Sequence, residues 1–450
     1  MRLTALSQAL FAIGRRQPRV PAGVLRAMPL GVVQALRRPG LQATLRAARR
    51  APAYRDALAG VDIARVRGPE DLGDFFLTSD VLKTRPESVL CGKPDLAIES
   101  SGTSGRVTRV YLSRRELEYS GRQGNLLLTL NGVGRNDRLL STLDLAWGLG
   151  SLLVERGIRY TDVFAMVVGR VDPREAYERL TTYGFNVLVS DPFWLGRLTE
   201  IARDRGRPVP MKLRVGGGEG VTPRLRAELE RFWDAPLCMT YASTEAATVL
   251  GFECPARDGY HVNEFDFVIE IDRPDDAGYG EIVFTTINRT VMPLLRYRTG
   301  DIARWLPGRC ACGLSFRRLS AIRGRVDEQV SCAWGNLHPE FFAQLLGDVP
   351  GVGADWQVAL QEHDLLAVVQ FRLEVDGGIR RDDVVDAVST ALQRKYPEAW
   401  LAYRQRLIDM EFVFVPFGTL RRQRKLLRLV DERGAATPEW AGFSVLPARR

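Results

Sequence analysis

The chain has 450 residues, 45% of them hydrophobic and 26% charged, which allows two or three domains with a large buried core and is typical of a soluble globular protein. No stretch reaches the roughly 18 consecutive apolar residues of a membrane-spanning helix, which argues against an integral membrane protein. The formal net charge is +9, but the basic residues are spread along the chain without an aromatic stacking pattern, so anionic small molecules fit this charge better than nucleic acid.

The first 300 residues divide into a helical part and an alternating part. Residues 1–60 are rich in arginine and alanine with leucines at helical intervals, which predicts a peripheral helical layer. The apolar run at residues 3–13 has no small-residue cleavage site after it, so we expect an amphipathic helix there and no signal peptide. From about residue 90, β-rich runs alternate with helical segments, which predicts a largely parallel sheet covered on both faces. The predicted strands are residues 138–143, 162–168, 187–190, 213–216 and 237–240.

The rest of the sequence predicts a pair of antiparallel strands and then a smaller C-terminal domain. Residues 268–271 and 281–286 flank a turn containing two aspartates and a glycine, a pattern typical of paired strands. Beyond Asp327 we expect a hairpin of residues 356–360 and 365–373, a helix at 382–395 and a strand at 411–415. The prediction is therefore an α/β fold with a large N-terminal domain, residues 1–326, and a small α+β C-terminal domain, residues 327–450.

A turn of small hydroxyl residues and glycines lies between two apolar runs, at residues 96–98 and 107–112. It contains Ser100, Ser101, Gly102, Thr103, Ser104 and Gly105, and Arg106 and Arg109 follow. Glycine lets successive N–H groups approach an anion closely, and arginine adds charge-assisted bonds, so the turn predicts a polyphosphate site. A Walker loop is excluded because only two residues separate the glycines and no Gly-Lys follows. An ordinary hairpin turn is the structural alternative.

Two other stretches have the chemistry of a nucleoside site. A glycine cluster follows the predicted strand 213–216, where ligands bind outside the carboxyl ends of strands, although a simple strand-to-helix turn explains it equally well. It consists of Gly216, Gly217, Gly218 and the next residue, Glu219. Asp301 follows a Thr-Gly turn beside Arg296 and Arg298 and is suited to accept the two hydroxyls of a ribose. The alternative there is an Arg-Asp surface pair, which contributes little.

A third stretch combines an aromatic ring, hydroxyls and an acid at the end of the predicted strand 237–240. Tyr241 has a ring that can stack on a base, and Thr244 has a hydroxyl that can bond a phosphate. Glu245 offers the carboxylate oxygen that Mg²⁺ prefers. The alternative is a helix that begins at the Ser-Thr-x-Glu sequence.

Four stretches, taken in chain order, resemble motifs of the adenylate-forming superfamily, particularly of its phenylacetate–CoA ligase-like branch. They are residues 100–105, 241–245, 292–301 and 322–327, and the resemblance extends from about residue 51 to residue 431. It implies a ligase that converts a carboxylic acid and ATP into an acyl-adenylate with release of pyrophosphate. The acyl group would then pass to coenzyme A.

The resemblance also implies roles for the matching residues. The turn from Ser100 to Gly105, with Arg106, would hold the ATP phosphates, while Gly217, Gly218 and Glu219 would border the adenine on which Tyr241 stacks. Thr244 would contact the α-phosphate and Glu245 would bind Mg²⁺. Asp301 would hold the ribose hydroxyls, and Arg325 would lie near the ribose and phosphates. Asp327 would be the hinge of the small domain, and Trp147 and Leu149 would border the acyl pocket, with packing as their alternative role.

Lys425 is the candidate for the catalytic lysine that this family carries in its C-terminal domain. The family places that lysine six residues before an aspartate, as Lys425 is placed before Asp431. Arg424 stands where the family has a glycine, so a solvated basic helix remains an alternative for this stretch. Lys425, Glu245 and Thr244 are the predicted catalytic residues.

A separate group of residues has the ligand types of a structural zinc site. Cys254, His261, Cys310 and Cys312 would supply three thiolates and one imidazole, a set that binds Zn²⁺ tetrahedrally, and members of this branch resemble this pattern. Buried free cysteines with a core histidine are the alternative. Six cysteines in total do not make a disulfide scaffold, so we expect a reducing cytoplasm.

Three functions remain open from the sequence. The first is transfer of the acyl group to coenzyme A, and the second is transfer to an amine or a carrier protein. The third is a degenerate nucleotide-binding module, because Arg106 and Val107 stand where the family usually has a Lys-Pro or similar pair, although the presence of Glu245, Asp301 and Lys425 together argues against it. The branch also suggests a homodimer.

Overall fold

The computed structural model describes residues 19–100, 107–145, 149–206, 209–217, 221, 223–287, 289–325, 330–347, 349–375, 379–416, 419–420, 427–434 and 445–448. Several sequence predictions fall outside these ranges. They are the amphipathic run 3–13 and the residues Ser101, Gly102, Thr103, Ser104, Gly105, Arg106, Trp147, Gly218, Glu219, Asp327 and Lys425.

Helices surround several sheets in the described part of the chain. The helices are α1 (Arg19–Ala27), α2 (Leu30–Ala48), α3 (Ser79–Thr84), α4 (Arg114–Leu130), α5 (Leu149–Ile158), α6 (Pro173–Tyr183), α7 (Pro192–Asp204), α8 (Pro223–Trp233), α9 (Pro339–Leu346), α10 (Arg381–Lys395) and α11 (Pro397–Arg404). The strands are β1 (Leu96–Glu99), β2 (Arg109–Leu112), β3 (Arg138–Ser141), β4 (Phe164–Val167), β5 (Val187–Ser190), β6 (Leu213–Gly216), β7 (Leu237–Ser243), β8 (Thr248–Phe252), β9 (Tyr260–Val262), β10 (Phe267–Asp272), β11 (Gly280–Thr286), β12 (Tyr297–Ala303), β13 (Trp305–Leu306), β14 (Arg318–Leu319), β15 (Gly324–Arg325), β16 (Val330–Cys332), β17 (Gly335–Leu337), β18 (Val352–His363), β19 (Leu366–Val375), β20 (Ile408–Val415), β21 (Leu429–Asp431) and β22 (Val445–Pro447).

Side-chain caps begin several of these helices. Ser113 and Glu116 form a capping box at the start of α4, in which each side chain accepts a backbone N–H of the other residue. The side chain of Asp191 accepts the backbone N–H of Trp194, and Pro192 occupies the first position of α7. Local sequence therefore fixes where both helices begin.

The largest sheet has nine strands in the order β13-β14-β9-β8-β7-β6-β5-β3-β4. The strands from β4 to β7 are parallel, and β5 and β6 are fully buried, which confirms the predicted parallel sheet. Beyond β7 the pairing becomes antiparallel, because residues 244–247 form a turn that leads directly into β8. The alternative of a helix beginning at this point is therefore wrong.

The predicted antiparallel strands form a separate sheet of four, in the order β10-β11-β12-β15. The strands β1 and β2 pair as an antiparallel hairpin on either side of the hydroxyl-glycine turn.

No helix in the described ranges is both long and apolar enough to cross a bilayer.

A five-stranded sheet lies within residues 352–447, in the order β21-β18-β19-β20-β22, and we call this sheet with α10 and α11 the C-terminal unit. Its β18–β19 hairpin was predicted, but the strands are longer and the turn is shorter than the four residues expected. Gln361 is a buried strand residue whose side chain accepts a hydrogen bond from Gln370 at 3.0 Å. A polar run that looks like a loop in the sequence is therefore part of a strand.

Candidate active site

Asp301 lies at the centre of a buried hydrogen-bond network. On β12 it is directly opposite Arg325 on β15, and Arg325 Nη1 donates to Asp301 Oδ1 at 2.7 Å. Tyr241 Oη donates to Asp301 Oδ2 at 2.6 Å. Burial raises the pKa of Asp301, while Arg325 and the Tyr241 hydroxyl act in the opposite direction. The Asp301 side chain is only 14% exposed, so the alternative of a surface ion pair is wrong.

The two arginines next to Asp301 in sequence bind other carboxylates. Arg296 Nη2 pairs with Glu270 Oε1 at 2.8 Å, and Arg298 pairs with Asp272 and Glu281. Adjacent residues in a strand point to opposite faces, and Arg298 is three positions before Asp301. These arginines therefore brace the four-stranded sheet, and Arg325 is the cation at Asp301.

Glu245 lies in the turn between β7 and β8 and is tied to the same region. Burial raises the pKa of Tyr297 well above its ordinary value, and the nearby Glu245 carboxylate acts in the same direction. Arg289 Nη1 donates to the backbone oxygens of Glu245 and Ala246, at 2.8 and 3.1 Å. Full burial lowers the pKa of Arg289 to about 10. Sequence reasoning missed Arg289 and Tyr297, although Tyr297 lies inside the matched stretch 292–301.

The hairpin of β1 and β2 closes through Ser100. Its backbone N–H donates to Thr108 O and its hydroxyl oxygen accepts from Thr108 N, both at 3.0 Å. Arg109, which was expected to help bind phosphate, instead pairs with Glu99 at 3.1 Å. The turn itself lies outside the described residues, so its phosphate contacts stay a prediction.

A short segment links this hairpin to the Glu245 turn. Arg289 holds the backbone of the turn, and three residues later Met292 Sδ accepts the backbone N–H of Tyr111 on β2 at 3.2 Å. Three residues span at most about 11 Å. The β1–β2 hairpin and the Glu245 turn therefore both contact the segment from Arg289 to Met292.

Gly217 follows the carboxyl end of β6, and Tyr241 lies in the neighbouring strand β7, two positions beyond the last residue that pairs in parallel with β6. Thr240 Oγ1 donates to Gly216 O at 2.9 Å, and a Cβ at Gly217 would lie 2.8 Å from Thr240 Oγ1. A side chain at residue 217 would therefore require the Thr240 hydroxyl to move. Such an edge is where ligands bind in open α/β sheets. Leu149 is buried at the start of α5, and its role at an acyl pocket stays a prediction.

Comparisons with curated proteins support one family. No protein-family model matches the chain. The chain is 26% identical over 376 residues to a phenylacetate-coenzyme A ligase of Thermus thermophilus, covering 75% of this chain and 82% of that protein. It is also 26% identical over 369 residues to a phenylacetate-coenzyme A ligase of Escherichia coli, covering 76% of this chain and 82% of that protein.

The chain is therefore similar to adenylate-forming proteins of the phenylacetate–CoA ligase-like branch. A solved structure of 2-hydroxyisobutyryl-CoA ligase, in complex with 2-HIB-AMP and CoA in the thioesterification state, has a TM-score of 0.74 and 20% identity, covering 90% of this chain and 91% of that one. The same ligase in the postadenylation state has a TM-score of 0.62 and 19% identity, with 90% of both chains covered.

The fold also brings the four predicted zinc ligands together. The ligand atoms of Cys254, His261, Cys310 and Cys312 lie within 4.8 Å of one another. Cys254 Sγ is 3.5 Å from Cys310 Sγ, and Cys312 Sγ is 3.3 Å from His261 Nε2. Ligands 2.3 Å from a tetrahedral Zn²⁺ are about 3.8 Å apart, so the donor set and its spacing fit this ion.

The two halves of this cysteine-histidine cluster meet through strand pairing. His261 on β9 is opposite Arg318 on β14, and the loop before β14 carries Cys310 and Cys312. His261 Nδ1 is 3.3 Å from the backbone oxygen of Phe316, a contact that orients the ring so that Nε2 faces the thiols. The cluster is thus preorganised by backbone contacts outside the ligand set.

Proposed function

We propose that this chain activates a carboxylic acid with ATP, forming an acyl-adenylate and pyrophosphate, and then transfers the acyl group to coenzyme A. The observation that carries the proposal is the buried network in which Asp301 is held by Tyr241 and Arg325 beside the Glu245 turn. An ionised acceptor fixed by two donors is suited to hold two ribose hydroxyls. The neighbouring Glu245 would supply a carboxylate for Mg²⁺.

The first half-reaction is an attack of one anion on another. An oxygen of the substrate carboxylate forms a bond to the α-phosphorus of ATP, and the bond from that phosphorus to the pyrophosphate oxygen breaks. The N–H groups of residues 100–105, the ammonium of Lys425 and the Thr244 hydroxyl would stabilise the added negative charge. A Mg²⁺ ion bound through Glu245 would neutralise phosphate charge.

The second half-reaction transfers the acyl group. The thiol sulfur of coenzyme A forms a bond to the acyl carbon, the bond from that carbon to the phosphate oxygen breaks, and AMP leaves with the electron pair while the thiol proton passes to solvent. Rotation of the C-terminal domain about Asp327 would withdraw Lys425 and admit the thiol. ATP and coenzyme A as cosubstrates suit a cytoplasmic enzyme.

Product analysis tests which acceptor is used. The purified chain is incubated with ATP, Mg²⁺, a panel of aromatic and aliphatic carboxylic acids, and either coenzyme A or a mixture of amines. Mass spectrometry should show acyl-CoA and AMP with at least one acid. Amides without thioesters would contradict transfer to coenzyme A and would leave acid activation intact.

We also propose that Cys254, His261, Cys310 and Cys312 hold one structural Zn²⁺ ion. Support comes from the compact cluster of three sulfurs and one imidazole nitrogen, which leaves no position for a substrate in a tetrahedral site. Metal analysis of protein purified without chelator should give one zinc per chain. A zinc content near zero would refute this part of the proposal.

A further inference from the structure

A glycine in the middle of α7 marks a close contact with the C-terminal unit. Gly196 is an interior residue of this helix, where glycine is among the poorest helix formers. A Cβ at this position would lie 2.5 Å from the backbone oxygen of Leu365 and 3.6 Å from its Cβ. The first distance is far below a normal contact, and the obstacle is backbone, which cannot rotate away. Only glycine permits this approach.

Leu365 is at the tip of the β18–β19 hairpin, and its burial is unusual for such a position. Its neighbours His363 and Asp364 are exposed, as tips of hairpins normally are, whereas Leu365 has 0% exposure. Asp364 has a φ of +54°, a left-handed conformation that aspartate tolerates. The tip therefore carries one apolar residue that is covered when the C-terminal unit lies against α7.

A second contact lies at the start of the same helix. Arg170 Nη2 donates to Asp191 Oδ2 at 2.9 Å, and Asp191 also caps α7. Arg170 Nη1 donates to the backbone oxygen of Ala333, between β16 and β17, at 3.4 Å. Gly196 with Leu365, and Arg170 with Ala333, thus form two contacts across the boundary between the predicted domains. We call this pair of contacts the α7 dock.

We propose that the α7 dock holds the C-terminal unit in the orientation used for acyl transfer to the thiol, with Gly196 as the positioning residue. This inference rests on the proposed function. It is supported by the higher TM-score with the neighbour in its thioesterification state than with the same neighbour in its postadenylation state. It also follows from location, since none of the residues assigned to ATP or to adenylation lies on α7.

Gly196→Ala tests the dock with both half-reactions measured on the same preparation. Alanine is the best helix former, so α7 should form at least as well as in the parent chain. Carboxylate-dependent pyrophosphate exchange should stay within about twofold, because the adenylating orientation does not use the dock. Thioester formation from supplied acyl-adenylate should slow by about 10- to 100-fold, since a displacement near 1 Å misaligns the reacting groups. Gly196→Val should cause a larger loss in the second assay alone.

Gly31→Ala is the matched control, because Gly31 also lies in a helix, α2, and a Cβ there would have nothing within 4 Å. Both half-reactions should be unchanged in this variant. An equal loss of both half-reactions in Gly196→Ala would show a general structural role and overturn the inference, as would an unchanged rate of thioester formation. If the parent chain itself catalyses neither half-reaction, the proposed function fails and the inference fails with it.

Discussion

Replacement of Asp301 by asparagine removes one charge from the centre of the candidate ATP site and preserves its shape. In the parent chain the two carboxylate oxygens accept hydrogen bonds from Tyr241 and Arg325, at 2.6 and 2.7 Å. In the variant the amide oxygen can face Arg325 and the amide nitrogen can face the Tyr241 oxygen. The network is therefore retained, and the main loss is the ionised acceptor for the ribose.

The size of this loss follows from two hydrogen bonds. A bond to a charged acceptor is worth about 1 kcal/mol more than a bond to a neutral one, so two ribose hydroxyls lose about 2 kcal/mol, or about 30-fold in affinity. The ribose does not change during adenylation, so the interaction is equal in the ground state and the transition state. KM for ATP should therefore rise about 30-fold with kcat nearly unchanged.

Initial rates of pyrophosphate exchange at saturating carboxylic acid, measured against ATP concentration, give both constants. Asp276→Asn is the control, since Asp276 is exposed in the turn between β10 and β11, and this variant should match the parent chain. Thermal unfolding of both variants checks that the fold is intact. A KM for ATP within threefold of the parent value, or a fall in kcat alone, would refute the role of Asp301 at the ribose.

Three further substitutions test other parts of the molecule. Burial raises the pKa of Asp266 to about 7, so the stability that its neutral form contributes is fully present below about pH 4 and is lost as the pH rises through 7. Asp266→Asn stays neutral, so its free energy of unfolding in urea, relative to the parent chain, should rise by up to about 3 kcal/mol between pH 5 and pH 8. A difference that does not change with pH would contradict this. Cys310→Ser should lose the zinc and at least about 2 kcal/mol of unfolding free energy, whereas Cys91→Ser, outside the cluster, should keep its zinc; equal zinc content in both would argue against the site. Lys425→Ala should slow adenylation by about 100-fold or more and leave thioester formation from supplied acyl-adenylate largely intact, with the exposed Lys93→Ala as control; unchanged adenylation would show that another group supplies the charge.

Strands that are buried on both faces could be predicted well from the sequence. Residues 187–190 and 213–216 were predicted as short β-rich runs between helical segments, and β5 and β6 have those bounds. The turn between β18 and β19 was misjudged because local polarity suggested a loop. The side chain of Gln370 donates a hydrogen bond to the side chain of Gln361 on the adjacent strand. This contact depends on the register between β18 and β19, which cannot be determined from either segment alone.

The acidic residues of the candidate site could be picked out from the sequence, but the side chains that contact them could not. Glu245 and Asp301 stood out by residue type, but the cation at Asp301 is Arg325, 24 positions away, because β12 and β15 are paired. Arg296 and Arg298 were closer in sequence and bind other groups. Tyr297 and Arg289 were missed for the same reason, since their contacts with the Glu245 turn exist only after folding.

The most direct test of the central claim is exchange of labelled pyrophosphate into ATP, with and without carboxylic acids. We expect that exchange occurs with at least one acid and only in its presence, that Mg²⁺ is required, and that Lys425→Ala abolishes the exchange. If the chain binds ATP but no acid in a broad panel supports exchange, the network around Asp301 belongs to a nucleotide-binding module without adenylating activity.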